Sequence, residues 1–384
     1  MKITRVTPWL IHADIAYNFG RRGTYLFVEV NTDEGITGWG EVTTTYPVAN
    51  RAVCAMIQQL NDLIVGDDPT EIERIWHKTF RAFTFMGSRG ASTNAISGVD
   101  IALWDIRGKM LGEPIYKLLG GKVHDTIELY THPNPNISPD QARQEAKEIA
   151  ESGHTAMKFD PFPTMPEEKN GYMSGKLSPE FEQIGADVTA AIREGAGNEM
   201  ELLIDAHARF DVPTTVRLAR RLNEWNLGWW EEPVPPESNH ALKQVRDQIE
   251  VPISVGERLY TRWEFVPIFE NELADYVMPD VTWTGGISEM KKISTLAEAY
   301  YIPMSPHDAS GPINVLAGAH VMMTVPNFYK LETARFSLHA YDLFIDEPLV
   351  IKDGQLHVPD KPGLGLDPDM DFFRANADEE FRGD

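Results

Sequence analysis

From about residue 125 the sequence keeps a rhythm that few folds can accommodate. Short apolar runs alternate with amphipathic stretches of helical period. The candidate strands are TIELYTH, TAMKFDP, ELLIDAH, LGWWEEP, VPISVGE, DYVMPD, YIPMSP and FYKLET. Between them lie helical patterns such as SPDQARQEAKEIAESG, VPTTVRLARRLNEW and ISEMKKISTLAEAY, two of which open on a good cap or a first-turn proline. Eight strands with helical crossovers predict an α/β chain built on a (β/α) barrel. An open doubly wound sheet is the competing topology, but no G-x-G-x-x-G follows a first strand.

The residues before this rhythm read as a separate unit. TYLFVEVNTDEGITGWGEV reads as two strands joined at NTDEG, and long helical patterns follow, including AISGVDIALWDIRGKML. GEPIYKLLGGK closes the unit with Gly and Pro punctuation. The expected division is an α+β domain over 1–122 and a barrel over 123–344. A Pro-, Asp- and Gly-rich tail over about 345–384 is expected to pack back on the first domain.

Charge and composition narrow the partners. Acidic residues number 58 against 35 basic ones, a formal net charge of −23. This argues against nucleic acid or an anionic membrane as the main partner. An anionic substrate would be repelled on average, so a cation must attract it locally. Cys54 is the single cysteine, in the helical-looking ANRAVCAMIQQL, which excludes a disulfide framework and suggests a small core residue. MKITRVTPWLIHAD has no continuous apolar h-region and no run of about 18 apolar residues occurs, so neither a signal peptide nor a membrane span is expected, and cytoplasm is the expected compartment.

The chemistry collects at the strand exits, where a barrel of this type keeps its active site. Strand two ends in Lys158, strand three in Asp205 and His207, strand four in Glu231 and Glu232, and strand five in Glu257. Strand six ends in Asp280, strand seven in His307 and strand eight in Glu332. Glu231 follows Asp205 by 26 residues, and Glu257 follows Glu231 by 26, the length of one β/α unit. Three carboxylates at one height cannot all stay ionised without a cation among them. An all-oxygen set with room for water and substrate suits Mg²⁺. Strand alternation would turn Asp205 and His207 to the same side. A lone strand-end acid is as readily a helix cap or a salt-bridge partner; three at equal spacing, with two histidines and a lysine, are harder to explain so. The tryptophans of WWEEP read as barrel packing, and the glycines of TWTGGISE as a turn into a helix or a phosphate site.

Taken together, these residues resemble the enolase superfamily, in the mandelate racemase and muconate lactonising group. The resemblance rests on ALWDIRGKMLGEPIYKLLGG, on the acids of IDAH, EEP and GER, and on the closing KPGLGL. It implies a modified (β/α)7β TIM barrel under an α+β N-terminal capping domain. It implies Asp205, Glu231 and Glu257 as Mg²⁺ ligands, Asp280 and His307 as a hydrogen-bonded dyad, and Glu332 near the substrate carboxylate. It also implies a homo-oligomer, a dimer or an octamer. The shared step is removal of a proton α to a carboxylate; a Lys or His base with Mg²⁺ stabilising an enediolate is a known pattern for such sites.

Two departures narrow the reaction. Racemases of this group carry Lys-x-Lys at strand two, whereas MKFDPF has Asp160 in the second position. One base is therefore missing for a two-base racemase. Strand three ends in Asp-x-His followed by Arg209, which is similar to galactonate, gluconate and mannonate dehydratases; KFDPF resembles the gluconate enzymes in particular. The resemblance thus implies a hydro-lyase acting on a small-molecule acid sugar. His307 would take the C2 proton, His207 would protonate the departing C3 hydroxyl, and Lys158 would contact the carboxylate or a hydroxyl. Candidate substrate contacts are Arg209, Arg21, Tyr46 and Arg89, and the loop PTMPEEKNGYMSGKLS also lies near the expected mouth. The alternatives are an epimerase or cycloisomerase on the same scaffold, a mannonate dehydratase, or a barrel that only binds.

Overall fold

The computed structural model describes residues 1–16, 22–44, 47–163, 174–308, 310–333 and 341–383. The N-terminal part is an antiparallel sheet of β1 (Ile3–Ala16), β2 (Arg22–Thr32) and β3 (Thr37–Glu41), in that order. The β2–β3 hairpin turns at Gly35, whose φ of 78° is open to glycine at no steric cost. Helices Pro47–Ile64, Ile72–Ala82 and Ala91–Leu111 follow. The last is buried on most of its circumference and packs directly on the sheet. A Cβ at Gly40 would lie 2.0 Å from the Gly98 carbonyl oxygen and one at Gly38 2.1 Å from the Ala102 carbonyl oxygen, so the helix–sheet contact needs glycine at both. The helix ends at Gly112, in the left-handed conformation usual after a last turn.

The strand–helix part contributes β4 (Ile127–Tyr130), β5 (Ala156–Phe159), β6 (Glu201–Asp205), β7 (Leu227–Glu231), β8 (Ile253–Val255), β9 (Tyr276–Val277) and β10 (Leu331–Glu332). β5 to β9 form one parallel sheet in sequence order, and β10 pairs in parallel with β4. Single bridges link Thr131 to Met157, Val277 to Met304 and Met304 to Phe328. The expected strand YIPMSP is therefore only a bridging residue, Met304. Pro303 and Pro306 flank it without an N–H to extend a ladder. The crossover helices begin as their sequences indicate. Ser138 and Gln141 form a reciprocal capping box for Pro139–Glu151, and Asp211 caps Val212–Leu222.

Period-two alternation sorts the strand residues. Leu202, Ile204 and Trp230 join the large core beneath the helices, whereas Tyr130, Ala156, Leu203, Trp229 and Met278 form a separate inner cluster. Each inner residue precedes by two a polar residue of the strand exits: His132, Lys158, Asp205, Glu231 and Asp280. The WW pair is thus packing on two different faces.

The last segment divides its contacts. β11 (Val350–Lys352) and β12 (Gln355–His357) form a hairpin, and β12 pairs with β4. Further on, helix Met370–Asn376 lies against β1. Phe373 lies tilted against Trp9 and Phe27, with centroids 6.0 and 4.8 Å apart. The Leu10 amide donates to the Phe381 carbonyl. Cys54 is buried.

Candidate active site

Asp205, Glu231 and Glu257 are buried, and one carboxylate oxygen from each lies within 4.8 Å of the others. Register explains the meeting: Asp205 pairs with Glu231 across β6–β7, and Glu231 with Ser254 across β7–β8. Lys158 is the nearby cation. Its Nζ stands 2.6 Å from Glu231 Oε1, 2.8 Å from Glu332 Oε1 and 3.6 Å from Asp205 Oδ2. Burial works against its charge, but Glu231 and Glu332 outweigh burial and hold it well above the usual range. Glu231 is pushed far up by burial and by Asp205. Asp205 is also buried, yet His207, Lys158 and the His207 amide hold it down to about 2. Arg258 bridges the outer acids, 3.3 Å from Glu232 and 3.2 Å from Glu257. Lys158 and Arg258 are two cations against five acids, Asp205, Glu231, Glu232, Glu257 and Glu332. An all-oxygen carboxylate set with a charge deficit fits a hard divalent cation.

Two histidines flank this triad in matching fashion. His307 Nδ1 donates to Asp280 Oδ2 at 2.8 Å, and its Nε2 lies 3.4 Å from Glu257 Oε2. His207 Nδ1 donates to Asp160 Oδ2 at 3.0 Å, and its Nε2 lies 3.2 Å from Asp205 Oδ2. In each case a carboxylate outside the triad assigns the Nδ1 proton and turns Nε2 toward the triad. His307 rests against Trp283, centroids 5.0 Å apart. Burial would depress the His307 imidazole, but Glu332, Glu257 and Asp280 carry it up to about 10. The route by which His207 arrives differs from simple alternation. β6 ends at Asp205, and both His207 and Ala208 have positive φ, 50° and 54°. The imidazole returns to the Asp205 side through this left-handed turn, pinned by the His207 amide donating to Asp205 Oδ1 at 2.8 Å.

Glu332 shares Lys158 with Glu231 and accepts from Tyr130 Oη at 3.0 Å, His132 Nε2 at 2.6 Å and the Asp308 amide at 3.2 Å. Burial would raise its carboxyl, yet Lys158, His307 and His132 hold it well below the usual range. His132 and Asp308 were not foreseen from the sequence. The N-terminal sheet also reaches in. Buried Glu41 accepts from the Asn314 amide, whose side chain donates to Asp280.

The expected peripheral contacts fare differently. Arg209 Nη2 lies 2.7 and 2.6 Å from the two oxygens of Asp160, so its charge serves that carboxylate rather than standing open to substrate. Arg89 pairs with Glu264 of helix Thr261–Glu270 at 2.7 Å. Arg21, Tyr46 and residues 164–173 of the polar loop lie outside the described residues. The start of helix Gly286–Ala299 is filled by the chain itself. Asp100 accepts from the Ser288 amide and hydroxyl, and a Cβ at Gly286 would meet its Oδ2 at 2.4 Å, which leaves no place for a phosphate.

A sheet-and-helix unit joined to a barrel-type domain, with acids and two histidine dyads at the strand exits, defines a two-part α/β enzyme built for acid–base chemistry. Residues 2–120 match the family model for the mandelate racemase/muconate lactonizing enzyme N-terminal domain, and residues 141–372 the model for enolase C-terminal domain-like proteins. The chain belongs to the mandelate racemase/muconate lactonizing enzyme family of the enolase superfamily. It is 32% identical over 359 residues to a D-xylonate dehydratase of Haloferax volcanii, covering 92% of this chain and 86% of the relative. It is 33% identical over 377 residues to a D-galactonate dehydratase of Pectobacterium atrosepticum, covering 96% and 92%. Among solved structures, an enolase superfamily member from Salmonella Typhimurium superposes with a TM-score of 0.89 at 31% identity, covering 98% of each chain. A mandelate racemase/muconate lactonizing enzyme-like protein from Rubrobacter xylanophilus gives 0.89 at 33%, covering 99% and 98%.

Proposed function

We propose that this protein is a Mg²⁺-dependent hydro-lyase that converts a sugar acid to its 2-keto-3-deoxy product. The observation that carries the reading is the pair of histidines whose Nε2 atoms face one acid triad from two sides, each held at Nδ1 by its own aspartate. Elimination of water needs one base and one acid, and two imidazoles can serve both near neutral pH. Asp160, where a second base would stand in a racemase, instead holds His207. The relatives named for D-xylonate and D-galactonate support the substrate class. Those two acids and D-gluconate share their C2 and C3 configurations, whereas D-mannonate differs at C2. We assign the architecture as a modified (β/α)7β barrel, 123–344, under a capping domain, 1–122, with the tail completing both.

Asp205, Glu231 and Glu257 would hold the cation, whose positive charge would stabilise the anion that forms on the substrate carboxylate. Lys158 binds a carboxylate oxygen or a hydroxyl, and Glu332 lies beside that carboxylate. His307, with its Nδ1 proton held by Asp280 and its Nε2 turned toward the triad, takes the proton from C2 at Nε2. The electron pair left on C2 enters the carboxylate as an enediolate. It then forms the C2–C3 double bond as the C3–O bond breaks. His207 gives its Nε2 proton to the leaving hydroxyl, and water departs. The enol tautomerises to the keto acid.

The test is a panel of aldonates and aldarates with Mg²⁺ and with EDTA, read by semicarbazide absorbance. Signal with xylonate, galactonate or gluconate that vanishes on chelation is expected. Unchanged turnover in EDTA, or an isomer of unchanged mass as the sole product, would refute the assignment. Mg²⁺ at a hundredfold excess over its Kd should also raise unfolding stability by about 3 kcal/mol.

A further inference from the structure

We propose that Asp160, clamped by Arg209, is the positioning residue for His207: it fixes which ring nitrogen faces the departing hydroxyl, an inference that rests on the dehydratase reading above. His207 cannot be placed by its strand, because β6 stops at Asp205 and the next turn is left-handed. Left-handed residues other than glycine persist only where their surroundings hold them. The backbone of the turn is held by Asp205 and by the Ala208 amide on the Glu232 carbonyl; the ring is held by Asp160, the residue just past β5. Asp160 Oδ2 accepts from His207 Nδ1 at 3.0 Å, and Asp160 Oδ1 accepts from the Phe162 amide at 3.0 Å. Arg209 lies within 2.7 Å of both Asp160 oxygens, two residues beyond the histidine it helps to hold. Its guanidinium lies 5.3 Å from the Phe210 ring centre, and Phe210 meets Phe162 edge-on at 5.3 Å. The segments 160–162 and 207–210 are thus joined through the dyad and by ring packing beside it.

The arrangement has a chemical consequence. An imidazole delivering a proton from Nε2 must keep its other proton at Nδ1, where an acceptor has to be waiting. Asp160 is that acceptor, 3.0 Å from Nδ1. Without it the ring is free to turn or to carry its proton on the wrong nitrogen, and the C3–O bond loses its acid. Abstraction of the C2 proton by His307 does not involve this pair. Loss of Asp160 therefore changes the ratio of two reactions of one intermediate, return of a proton to C2 and loss of the C3 hydroxyl.

The experiment compares wild type, Asp160→Asn, Asp160→Glu and Arg209→Lys, each with Mg²⁺, in deuterated water. Dehydration by Asp160→Asn is expected to fall about 10- to 100-fold, as for other carboxylates that orient functional histidines, while C2 deuterium incorporation persists and the exchange-to-dehydration ratio rises. Asp160→Glu should recover part of the loss, and Arg209→Lys should fall less than tenfold. A role in folding alone would lower both reactions together, so an unchanged ratio overturns the proposal. ¹⁵N-histidine spectra of the Mg²⁺-loaded protein, with His207 identified through His207→Asn, give a readout independent of turnover. Wild type should show His207 protonated at Nδ1, and Asp160→Asn should lose that signature; an unchanged tautomer also overturns the proposal. If wild type turns over no acid sugar while the tautomer still depends on Asp160, the dehydratase reading fails and the positioning stands.

Discussion

The two histidine–aspartate pairs are built alike and lodged differently. His307 and Asp280 have side chains 7% and 0% exposed, and His207 and Asp160 have 34% and 19%. Asp280 receives the Thr282 amide and hydroxyl and the Asn314 side chain besides its histidine. A backbone bridge joins residues 280 and 307 themselves. Asp160 has one amide and one arginine. The buried pair suits a base that must act on a weakly acidic C–H with no water competing for it. The half-open pair suits an acid whose product is a water molecule that has to leave. In the proposed reaction, one chemical unit would serve two roles, set apart by its depth at the strand exits.

The strongest way to break this comparison is to remove each imidazole. His307→Asn should lose dehydration and C2 exchange alike, by about 10⁴-fold, because proton abstraction comes first. His207→Asn should lose dehydration by about 10²- to 10³-fold while deuterium still enters C2. Proton NMR of the recovered sugar acid in deuterated water distinguishes the two. Loss of exchange in both variants would mean that the histidines act as one unit, and normal dehydration by His207→Asn would remove it as the acid.

How much of this was legible in the sequence follows from range. The triad could be read because its spacing repeats one β/α unit, a local regularity that register converts into contact. The inner face could be read as far as period two holds, and the same rule places His132 two residues beyond Tyr130. It was missed because the strand exits were read from Lys158 onward. Asp160 was visible only as a base that was absent. Its partner lies 47 residues away on the next strand exit, and nothing local in KFDPF or DAHARF announces that pairing. YIPMSP looked like a strand by composition, but its two prolines leave a single bridge. His207 reached its expected side by a left-handed turn that alternation does not describe.

Depth should also separate the pairs in stability. Asp280→Ala strands an imidazole N–H, a threonine amide and an asparagine side chain where water does not reach. It should cost about 3–5 kcal/mol. Asp160→Ala opens a site that water can fill and should cost about 1–2 kcal/mol. Urea unfolding of both variants without substrate provides the measurement. Equal costs would show that burial is not what distinguishes the pairs.

A third histidine shows what the ring does without an aspartate. His320 is fully buried; its Nδ1 accepts from the Tyr116 amide at 3.3 Å, and its Nε2 donates to the Leu364 carbonyl at 3.0 Å. Burial pushes its imidazole from 6.5 down to about 4, the opposite direction to His307. The neutral ring, on helix Pro312–Met322, links Tyr116 to Leu364 in the last segment. As pH falls the unfolded chain takes up this proton first, so the stabilisation is complete above about 6.5 and is lost between about 6.5 and 4. By pH 5 the loss should reach about 2 kcal/mol. Other carboxylates titrate in the same range, so the informative quantity is the difference in slope between wild type and His320→Gln from pH 7 to 5. The variant should start less stable and fall less steeply. Parallel slopes would mean that His320 is already protonated in the fold, and that burial without a carboxylate does not set the charge of a histidine in this protein.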